Sequence, residues 1–476
     1  MTQLYSKNTR KPPELKQKSK LFGIFSLFSL IAIFFMASLS PSQAGLIRDT
    51  ELERGLEQLS WPMAREAGLS SLRIRIVPND SYNAFVVGGN TVYVHTGLLV
   101  KARSTAEILG VFAHEIGHLA AGHAPRRTEA IQDANLTTTL ATLAAAAIAA
   151  SGASGDAAIG VALGGFDRAN RNYLSLSRRD ESIADEWALR LLEGQDISAA
   201  GLSDFMRRIA GERALPESRQ SDYYLTHPGA GARLLTFEDH IREHGKDSPG
   251  ITPEDDALMA RLIGKIRAFT DPPSQTLAEI KQNQAKKGED HSANWPHFSD
   301  DDLRYREAIA HYRRGALDKA HQVISTLIEG NPDDIYFHEF GGDVLLSMQR
   351  FDEAIAAYRT ALDKTKAPLI EFGLGRALMA KADQSGEDLY GQAAQAFERA
   401  AKIERRWPGL QRQLAIALGR DGQLAQADLA LANEALLVGD KTRATQMAKR
   451  VLERDDASKE TLNFANDILF SLQGVK

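Results

Sequence analysis

The sequence HEIGH at residues 114–118 places two histidines and a glutamate at spacings that suit a metal centre. On a helix, His114 and His118 lie one turn apart on the same face, so both imidazoles can reach one zinc ion. Glu115 follows the first histidine and can accept a proton from a metal-bound water. The motif therefore indicates hydrolytic chemistry on a metal ion, although a five-residue pattern with two variable positions also occurs by chance.

The residues around this motif predict a buried helix. Ser104 and Glu107 form a capping-box pattern at its start, and Gly122 marks its end. Its apolar positions are Ile108, Val111, Phe112, Ile116 and Leu119. Buried histidines and glutamates need partners, because an unpaired buried polar group is costly, and a metal ion would supply one. Gly110 and Gly117 each cost ~1 kcal/mol relative to alanine inside a helix, so we expect another element to pack closely against them.

A catalytic zinc site usually takes three protein ligands, so a third is needed. The chain has no cysteine, which leaves a histidine or a carboxylate. The charged stretch at residues 177–186 offers Glu181 and Asp185, which share one face of a predicted helix. Glu181 could bind the metal while Asp185 orients a ligand histidine. On composition alone, a solvated charged face is the better interpretation of this stretch.

The set of motifs resembles the gluzincin peptidases of the HtpX and CAAX-prenyl-protease family. The resemblance rests on HEIGH followed, 63 residues after His118, by Glu-x-x-Ala-Asp at residues 181–185. The sequences NAF at residues 83–85 and GLL at residues 97–99 also match that family's pattern. The order of an export signal, a catalytic domain and C-terminal repeats resembles the periplasmic branch of this family. The resemblance spans roughly residues 45–476.

This resemblance implies a role for each candidate residue. The zinc ligands would be His114, His118 and Glu181, with one Zn2+ per subunit. Glu115 would be the general base, and Asp185 would support a ligand histidine.

A further family element is matched by residues 226–228 and Arg233. There, His227 would approach the zinc or stabilise the transition state, and Arg233 could also stabilise an oxyanion. In the periplasmic branch such a histidine can occupy the fourth zinc position and hold the enzyme latent, which we adopt as a hypothesis. Residues 229–232 are small where bulkier residues are common, so the sequence leaves the position of His227 open. His123 is expected behind the site or at the surface.

Two strand patterns precede the motif. Residues 72–77 alternate with a period of two, which predicts a half-buried strand. Residues 83–87 and 91–94 flank a turn sequence and predict a hairpin. In such enzymes an edge strand here pairs with an extended substrate through main-chain hydrogen bonds. We therefore expect unfolded or extended polypeptides as substrates.

Residues 136–165 are dominated by small residues. Alanine buries too little apolar area for a convincing membrane span. The favoured interpretation is a closely packed helical hairpin. The alternatives are a mobile flap over the active site and a segment that makes peripheral contact with a membrane.

The C-terminal part repeats with a period of 34 residues. Ala320 and Ala354 lie in similar frames, each followed by a short helix and a proline. Looser units lie around residues 393–397 and 422–427. The pattern resembles the tetratricopeptide helix–turn–helix repeat, which stacks into an α-solenoid that usually binds another protein.

Residues 1–44 have the features of an export signal. A basic segment, an uncharged apolar stretch at residues 21–37 and small residues before the cut predict cleavage after Ala44 and a periplasmic location. The alternative is an uncleaved membrane anchor, because the apolar stretch approaches spanning length. Residues 1–44 contain six basic residues and one acidic residue, so their removal changes the net charge from −5 to −10. Such an acidic protein is a poor candidate for binding nucleic acid.

We therefore predict a mainly α protein with a signal peptide at residues 1–44. Residues 45–270 are predicted to form an α+β zinc metallopeptidase domain with a small sheet and an edge strand. A linker at residues 271–300 and a tetratricopeptide α-solenoid at residues 301–476 follow it. The resemblance implies an endopeptidase for unfolded or misassembled proteins, docked by its repeats on the outer-membrane assembly machinery and active in β-barrel assembly and quality control. The alternative is a chaperone or scaffold that works through its repeats with a mostly latent metal site, and the intact ligand set argues against it.

Overall fold

The computed structural model of the protein describes residues 46–86, 89–123, 178–211, 223, 227, 229–245, 250–285 and 295–473. The predicted signal peptide at residues 1–44 and the small-residue stretch at residues 136–165 lie outside the described residues. The described residues from Ile47 onward form one compact unit. Within the described residues, no helix is both long enough and apolar enough to cross a membrane.

The described elements are mostly helices, with three short strands near the N-terminal end. In chain order they are α1 (Thr50–Glu66), β1 (Arg73–Val77), β2 (Ala84–Val86), β3 (Thr91–His95), α2 (Thr96–Lys101), α3 (Thr105–Ala120), α4 (178–194), α5 (Ala200–Gly211), α6 (Ala230–His244), α7 (Pro253–Thr270), α8 (Pro273–Ala285), α9 (Asp300–Arg313), α10 (Leu317–Gly330), α11 (Ile335–Ser347), α12 (Phe351–Lys364), α13 (Pro368–Ser385), α14 (Tyr390–Ile403), α15 (Pro408–Arg420), α16 (Leu424–Leu437), α17 (Lys441–Leu452) and α18 (Lys459–Gln473). This composition confirms the predicted fold class.

The sheet has the strand order β1-β3-β2. β1 runs parallel to β3, whereas β2 runs antiparallel to it, so β2 and β3 form the predicted hairpin. Among the described residues β2 pairs only with β3, which makes it an edge strand. Phe85 of β2 stacks on Tyr93 of β3 with ring centroids 5.3 Å apart. β2 also packs against α3, so this edge lies beside the helix that carries HEIGH.

α3 is the buried helix that the sequence predicts. The Ser104 hydroxyl accepts a hydrogen bond from the Glu107 backbone N–H at its start. Gly122 follows its end with a φ of 66°, in the left-handed region that favours glycine. α3 packs against α1, α5 and α7 as well as β2, so the side chains of the motif are held on a rigid, central element.

Two glycines of α3 permit the close packing that the sequence predicts. A Cβ at Gly110 would lie 2.8 Å from the Leu202 Cβ of α5. A Cβ at Gly117 would lie 2.7 Å from the Ala184 carbonyl oxygen and 2.9 Å from the Trp187 Cβ, both on α4. Such separations are too short for carbon atoms, so only glycine lets the two neighbouring helices approach α3 this closely.

Helices α9 to α18 follow one another as stacked pairs across residues 295–473, a range that is described throughout. Ala320, Ala354 and Ala393 are fully buried between neighbouring helices. Small side chains at these repeated positions let successive helices pack closely. The arrangement confirms the predicted α-solenoid.

Polar contacts join the repeats to the N-terminal half. Arg75 of β1 lies 2.6 Å from Glu53 of α1 and 2.6 Å from Glu404, which follows α14. The Thr50 hydroxyl donates a hydrogen bond of 2.6 Å to Glu339 of α11. These contacts connect the start of α1 and the outer face of β1 to the solenoid.

The predicted linker at residues 271–300 contains a helix. α8 packs against α9, the first helix of the solenoid, and against α7. Residues 286–294 lie outside the described residues. The domain boundaries at residues 270 and 301 therefore remain a prediction.

We predict that Gly117→Ala lowers the free energy of unfolding by about 1 to 2 kcal/mol. Because the added Cβ would meet the backbone of α4, we expect the upper part of the usual overpacking cost of about 1–3 kcal/mol, and the gain of ~1 kcal/mol in helix propensity offsets only part of it. Urea unfolding followed by circular dichroism measures the change. The matched control is Gly231→Ala on α6, where an added Cβ meets nothing within 4 Å, so stability is unchanged or raised. Wild-type stability of Gly117→Ala would contradict the close-packing argument.

Candidate metal centre

Four buried side chains from three segments meet beside α3. His114 and His118 come from α3, Glu181 comes from α4, and His227 precedes α6. One ligand atom of each lies within 4.8 Å of the others. The structure therefore brings together the two motif histidines and two residues that are distant from them in sequence.

The first three of these groups have the separations of metal ligands. His114 Nε2 lies 3.1 Å from His118 Nε2 and 3.2 Å from Glu181 Oε2. His118 Nε2 lies 3.4 Å from Glu181 Oε1. Ligand atoms about 2.1 Å from a tetrahedral ion are about 3.4 Å apart, and two imidazoles with a carboxylate suit zinc better than calcium or magnesium. These residues therefore fit a zinc ion.

Glu115 faces His227 across the cluster. His227 Nε2 lies 3.6 Å from Glu115 Oε1, and His227 Nδ1 lies 3.0 Å from Glu181 Oε2. The Tyr223 ring stacks on the His227 ring with centroids 4.2 Å apart, and the backbone N–H of His227 donates to the backbone carbonyl of Tyr223 at 2.8 Å. Tyr223 was not predicted from the sequence, although its spacing of four residues from His227 could have indicated it.

Asp185 and Arg233 form a layer behind His114. Asp185 Oδ1 lies 2.9 Å from His114 Nδ1, which is the geometry of a carboxylate that orients a ligand histidine. Arg233 donates two hydrogen bonds of 2.7 Å to Asp185 and lies 2.9 Å from Glu181 Oε2. Because its donors face these carboxylates, the geometry favours a positioning role for Arg233 over contact with a substrate oxyanion. Thr226 and Pro228 lie outside the described residues.

Burial and ion pairing set the charges of this cluster. Burial raises the pKa of Glu181, but His227 and Arg233 outweigh it and hold that pKa well below its ordinary value. Burial also raises the pKa of Asp185, which Arg233 and His114 nevertheless lower overall. Burial and Arg233 lower the pKa of His114, whereas its hydrogen bonds to Asp185 and Glu181 raise it overall to about 9. Both carboxylates are therefore ionised at neutral pH, and the site attracts positive charge.

His118 contacts a separate pair of buried residues. Its Nδ1 lies 2.9 Å from His123 Nδ1, and His123 Nε2 lies 3.5 Å from Asp180 Oδ1. His123 is fully buried, so it lies behind the site and not at the surface. Asp180 was not predicted from the sequence, because only the packing of α4 on α3 brings it to His123.

The comparison with known proteins is consistent with this geometry. Residues 47–240 match Peptidase family M48. The chain is 22% identical to the Beta-barrel assembly-enhancing protease of Escherichia coli (strain K12) over 387 residues, which cover 76% of each chain. The Beta-barrel assembly-enhancing protease of Yersinia pestis is 24% identical over 305 residues, 63% of this chain and 60% of that protein. Metalloprotease LoiP of Escherichia coli (strain K12) is 28% identical over 204 residues, 41% of this chain and 73% of LoiP.

Among solved structures, MamA from Desulfovibrio magneticus RS-1 matches with 16% identity and a TM-score of 0.31, covering 39% of this chain and 96% of MamA. At that TM-score the match adds nothing to what the stacked helix pairs show. The family match covers the strands, α3, α4 and residues 230–240 of α6, and it includes all four clustered side chains. Residues 47–240 therefore match the model of Peptidase family M48, in a chain that resembles the β-barrel assembly-enhancing proteases over three quarters of its length.

Proposed function

We propose that this protein is a periplasmic zinc-dependent endopeptidase that hydrolyses internal peptide bonds of unfolded or misassembled polypeptides. The observation that carries the proposal is the buried set of His114, His118 and Glu181, whose ligand atoms lie 3.1 to 3.4 Å apart. The match of residues 47–240 to Peptidase family M48 supports the same chemistry. The three side chains are the proposed ligands of one Zn2+.

Glu115 is the general base in this proposal. A zinc ion at the three ligands would polarise a peptide carbonyl and lower the pKa of a water molecule. Glu115 neighbours the ligand His114 on α3 and faces the cluster from a fully buried position. It takes a proton from the attacking water and delivers it to the leaving amine nitrogen.

Asp185 and Arg233 are proposed to position the ligands. The Asp185 carboxylate holds a proton on His114 Nδ1, which leaves Nε2 available for the ion. Arg233 fixes Asp185 through two hydrogen bonds and neutralises part of the charge that Asp185 and Glu181 bury. Arg233 therefore acts through these carboxylates in the proposal.

His227 is proposed to hold the site in a latent state. Its two ring nitrogens lie 3.0 Å from Glu181 and 3.6 Å from Glu115, so the imidazole lies between a proposed ligand and the proposed base. Tyr223 stacks on it and stabilises this position. A substrate carbonyl and the attacking water need the same space, so His227 must move before hydrolysis.

The edge strand β2 is proposed to align the substrate. Its outer main-chain groups can accept an extended segment by strand addition, and β2 packs directly on α3. Main-chain pairing selects for unfolded or extended chains and gives little side-chain specificity. This supports misassembled polypeptides as the substrate class.

The resemblance to the β-barrel assembly-enhancing proteases supports a role in the assembly and quality control of outer-membrane β-barrel proteins. The repeats would dock the protein on the assembly machinery. Asp334, Glu339 and Glu404 already contact the N-terminal half, so a partner would bind other surfaces of the solenoid. The periplasmic location rests on the predicted signal at residues 1–44, and N-terminal sequencing of the mature chain is expected to begin at Gly45.

We predict that Glu115→Gln lowers the rate of casein cleavage by a factor of about 10² to 10⁴, the usual contribution of a general base. Its metal content should equal that of the wild type, because the three ligands remain. Glu186→Gln, at an exposed position of α4, is the matched control and should keep full activity. If Glu115→Gln supported full function in cells, the scaffold alternative would replace the peptidase proposal.

We predict that His227→Ala increases casein cleavage. Removing a preference of about 1.4 kcal/mol for the latent state would raise the active population by roughly tenfold. His297→Ala, at an exposed position, should leave the rate unchanged. A loss of activity in His227→Ala would instead indicate that this residue stabilises the transition state.

A further inference from the structure

A second cluster of histidines and a carboxylate lies at the other end of the helices that support the metal centre. Glu193 belongs to the last turn of α4, whereas His240 and His244 are one turn apart at the end of α6. His240 Nε2 lies 3.4 Å and His244 Nε2 lies 3.5 Å from the same oxygen, Glu193 Oε1. The two imidazole rings stack with centroids 4.2 Å apart.

A hydrogen bond prepares one of these imidazoles for metal binding. His244 Nδ1 lies 3.0 Å from the backbone carbonyl oxygen of His240. A carbonyl only accepts, so Nδ1 carries the proton. In the neutral ring, Nε2 is then left with a lone pair that points towards Glu193. The same pattern, with a fixed proton on one nitrogen and a free lone pair on the other, is typical of histidine ligands.

The separations also match those of ligands. Atoms about 2.1 Å from a tetrahedral ion lie about 3.4 Å apart, close to both distances from Glu193 Oε1. Two imidazoles and one carboxylate form a donor set that suits zinc and neighbouring first-row ions, whereas calcium and magnesium favour oxygen ligands.

We propose that Glu193, His240 and His244 bind a second divalent transition-metal ion, for which zinc is the best match. Water completes its coordination, since the side chains of Glu193 and His244 are 48% and 53% exposed. This exposure allows the ion to exchange with solvent. The site uses none of the residues proposed for hydrolysis and does not depend on that proposal.

A second ion at this site would stabilise the arrangement of α4 and α6. α4 carries Glu181 and Asp185, and α6 carries Arg233, so the two helices meet at the metal centre through the Arg233–Asp185 pair. An ion at Glu193 would join the same two helices at their other ends. The outer site would therefore stabilise the scaffold behind the metal centre.

Zinc titration of the full-length protein tests the proposal, with bound ions counted by isothermal calorimetry and elemental analysis. The wild type is expected to bind one more Zn2+ per chain than His240→Ala/His244→Ala. His297→Ala, which removes a single exposed histidine elsewhere, should bind as many ions as the wild type. Equal numbers of ions in the wild type and the double variant would overturn the proposal. A wild type that binds a single ion, lost in the double variant, would support the outer site and contradict the proposed hydrolytic centre.

A melting experiment separates binding from any effect on folding. Excess Zn2+ should raise the melting temperature of the wild type by several degrees more than that of the double variant, because an ion that binds only the folded state stabilises it. The melting temperatures without added zinc give the effect of the substitutions themselves, because the His240 side chain is only 17% exposed, and the zinc-induced shift of each protein is measured from its own zinc-free value. An identical zinc response in both proteins would also count against the site.

A different set of contacts carries a second inference, which rests on the proposed ligand role of His118. When His118 Nε2 binds an ion, its Nδ1 carries a proton, and the acceptor 2.9 Å away is His123 Nδ1. His123 must then carry its own proton on Nε2, which faces Asp180 at 3.5 Å. We infer that His123 and Asp180 are positioning residues that fix the tautomer and orientation of His118, as Arg233 and Asp185 do for His114.

Zinc affinity tests this inference independently of activity, with competing chelators and in the His240→Ala/His244→Ala background. His123→Ala is expected to weaken binding by roughly 10- to 100-fold, the usual effect of removing a partner of a metal-bound histidine. His123→Asn should restore most of the affinity, because its amide oxygen can accept the same hydrogen bond. Asp180→Asn should also weaken binding. Wild-type affinity in His123→Ala, or a loss that His123→Asn does not restore, would overturn the inference.

Discussion

The close approach of α4 to α3 at Gly117 is the constraint on which the candidate metal centre depends. Because Gly117 has no side chain, the backbone of α4 at Ala184 lies directly against α3. Glu181, one turn earlier on α4, thereby reaches both histidines of the motif. The same contact places Asp185 beside Nδ1 of His114 and Asp180 beside Nε2 of His123. A single helix thus carries all three acids, and any displacement of α4 would move them together.

Burying Glu181 and Asp185 side by side requires nearby positive charge. Arg233 supplies one charge through its contacts with both carboxylates. Burial lowers the pKa of His114, but its hydrogen bonds to Asp185 and Glu181 raise that pKa overall to about 9. A proton on this imidazole would add a second positive charge beside the two carboxylates. A histidine must lose the proton from its coordinating nitrogen to bind a metal ion, so the carboxylates that would attract the proposed ion also favour the protonated form that competes with it.

Local periodicity explains what could be predicted from the sequence. A spacing of four residues on one helix indicates the pair of histidines, two helical glycines indicate a closely packed neighbour, and a 34-residue period indicates the solenoid. Contacts between distant segments explain the rest. Alternation within residues 72–77 predicts only a half-buried strand, yet Arg75 is buried because it lies between Glu53 and Glu404. Asp180 was missed for the same reason, since its partner His123 lies on another segment.

The solenoid also influences which edge of the sheet is accessible. On the outer side of β1, the Ile47 N–H donates to the Ile76 carbonyl at 2.9 Å, and Arg75 is tied to Glu404 of the repeats. An edge that is covered in this way cannot add another strand. β2, at the opposite edge, pairs only with β3 among the described residues and packs on α3. Attachment of the repeats at β1 thus leaves the edge beside the candidate metal centre available for the proposed strand addition, so the position of the solenoid and the proposed path of the substrate depend on the same three-stranded sheet.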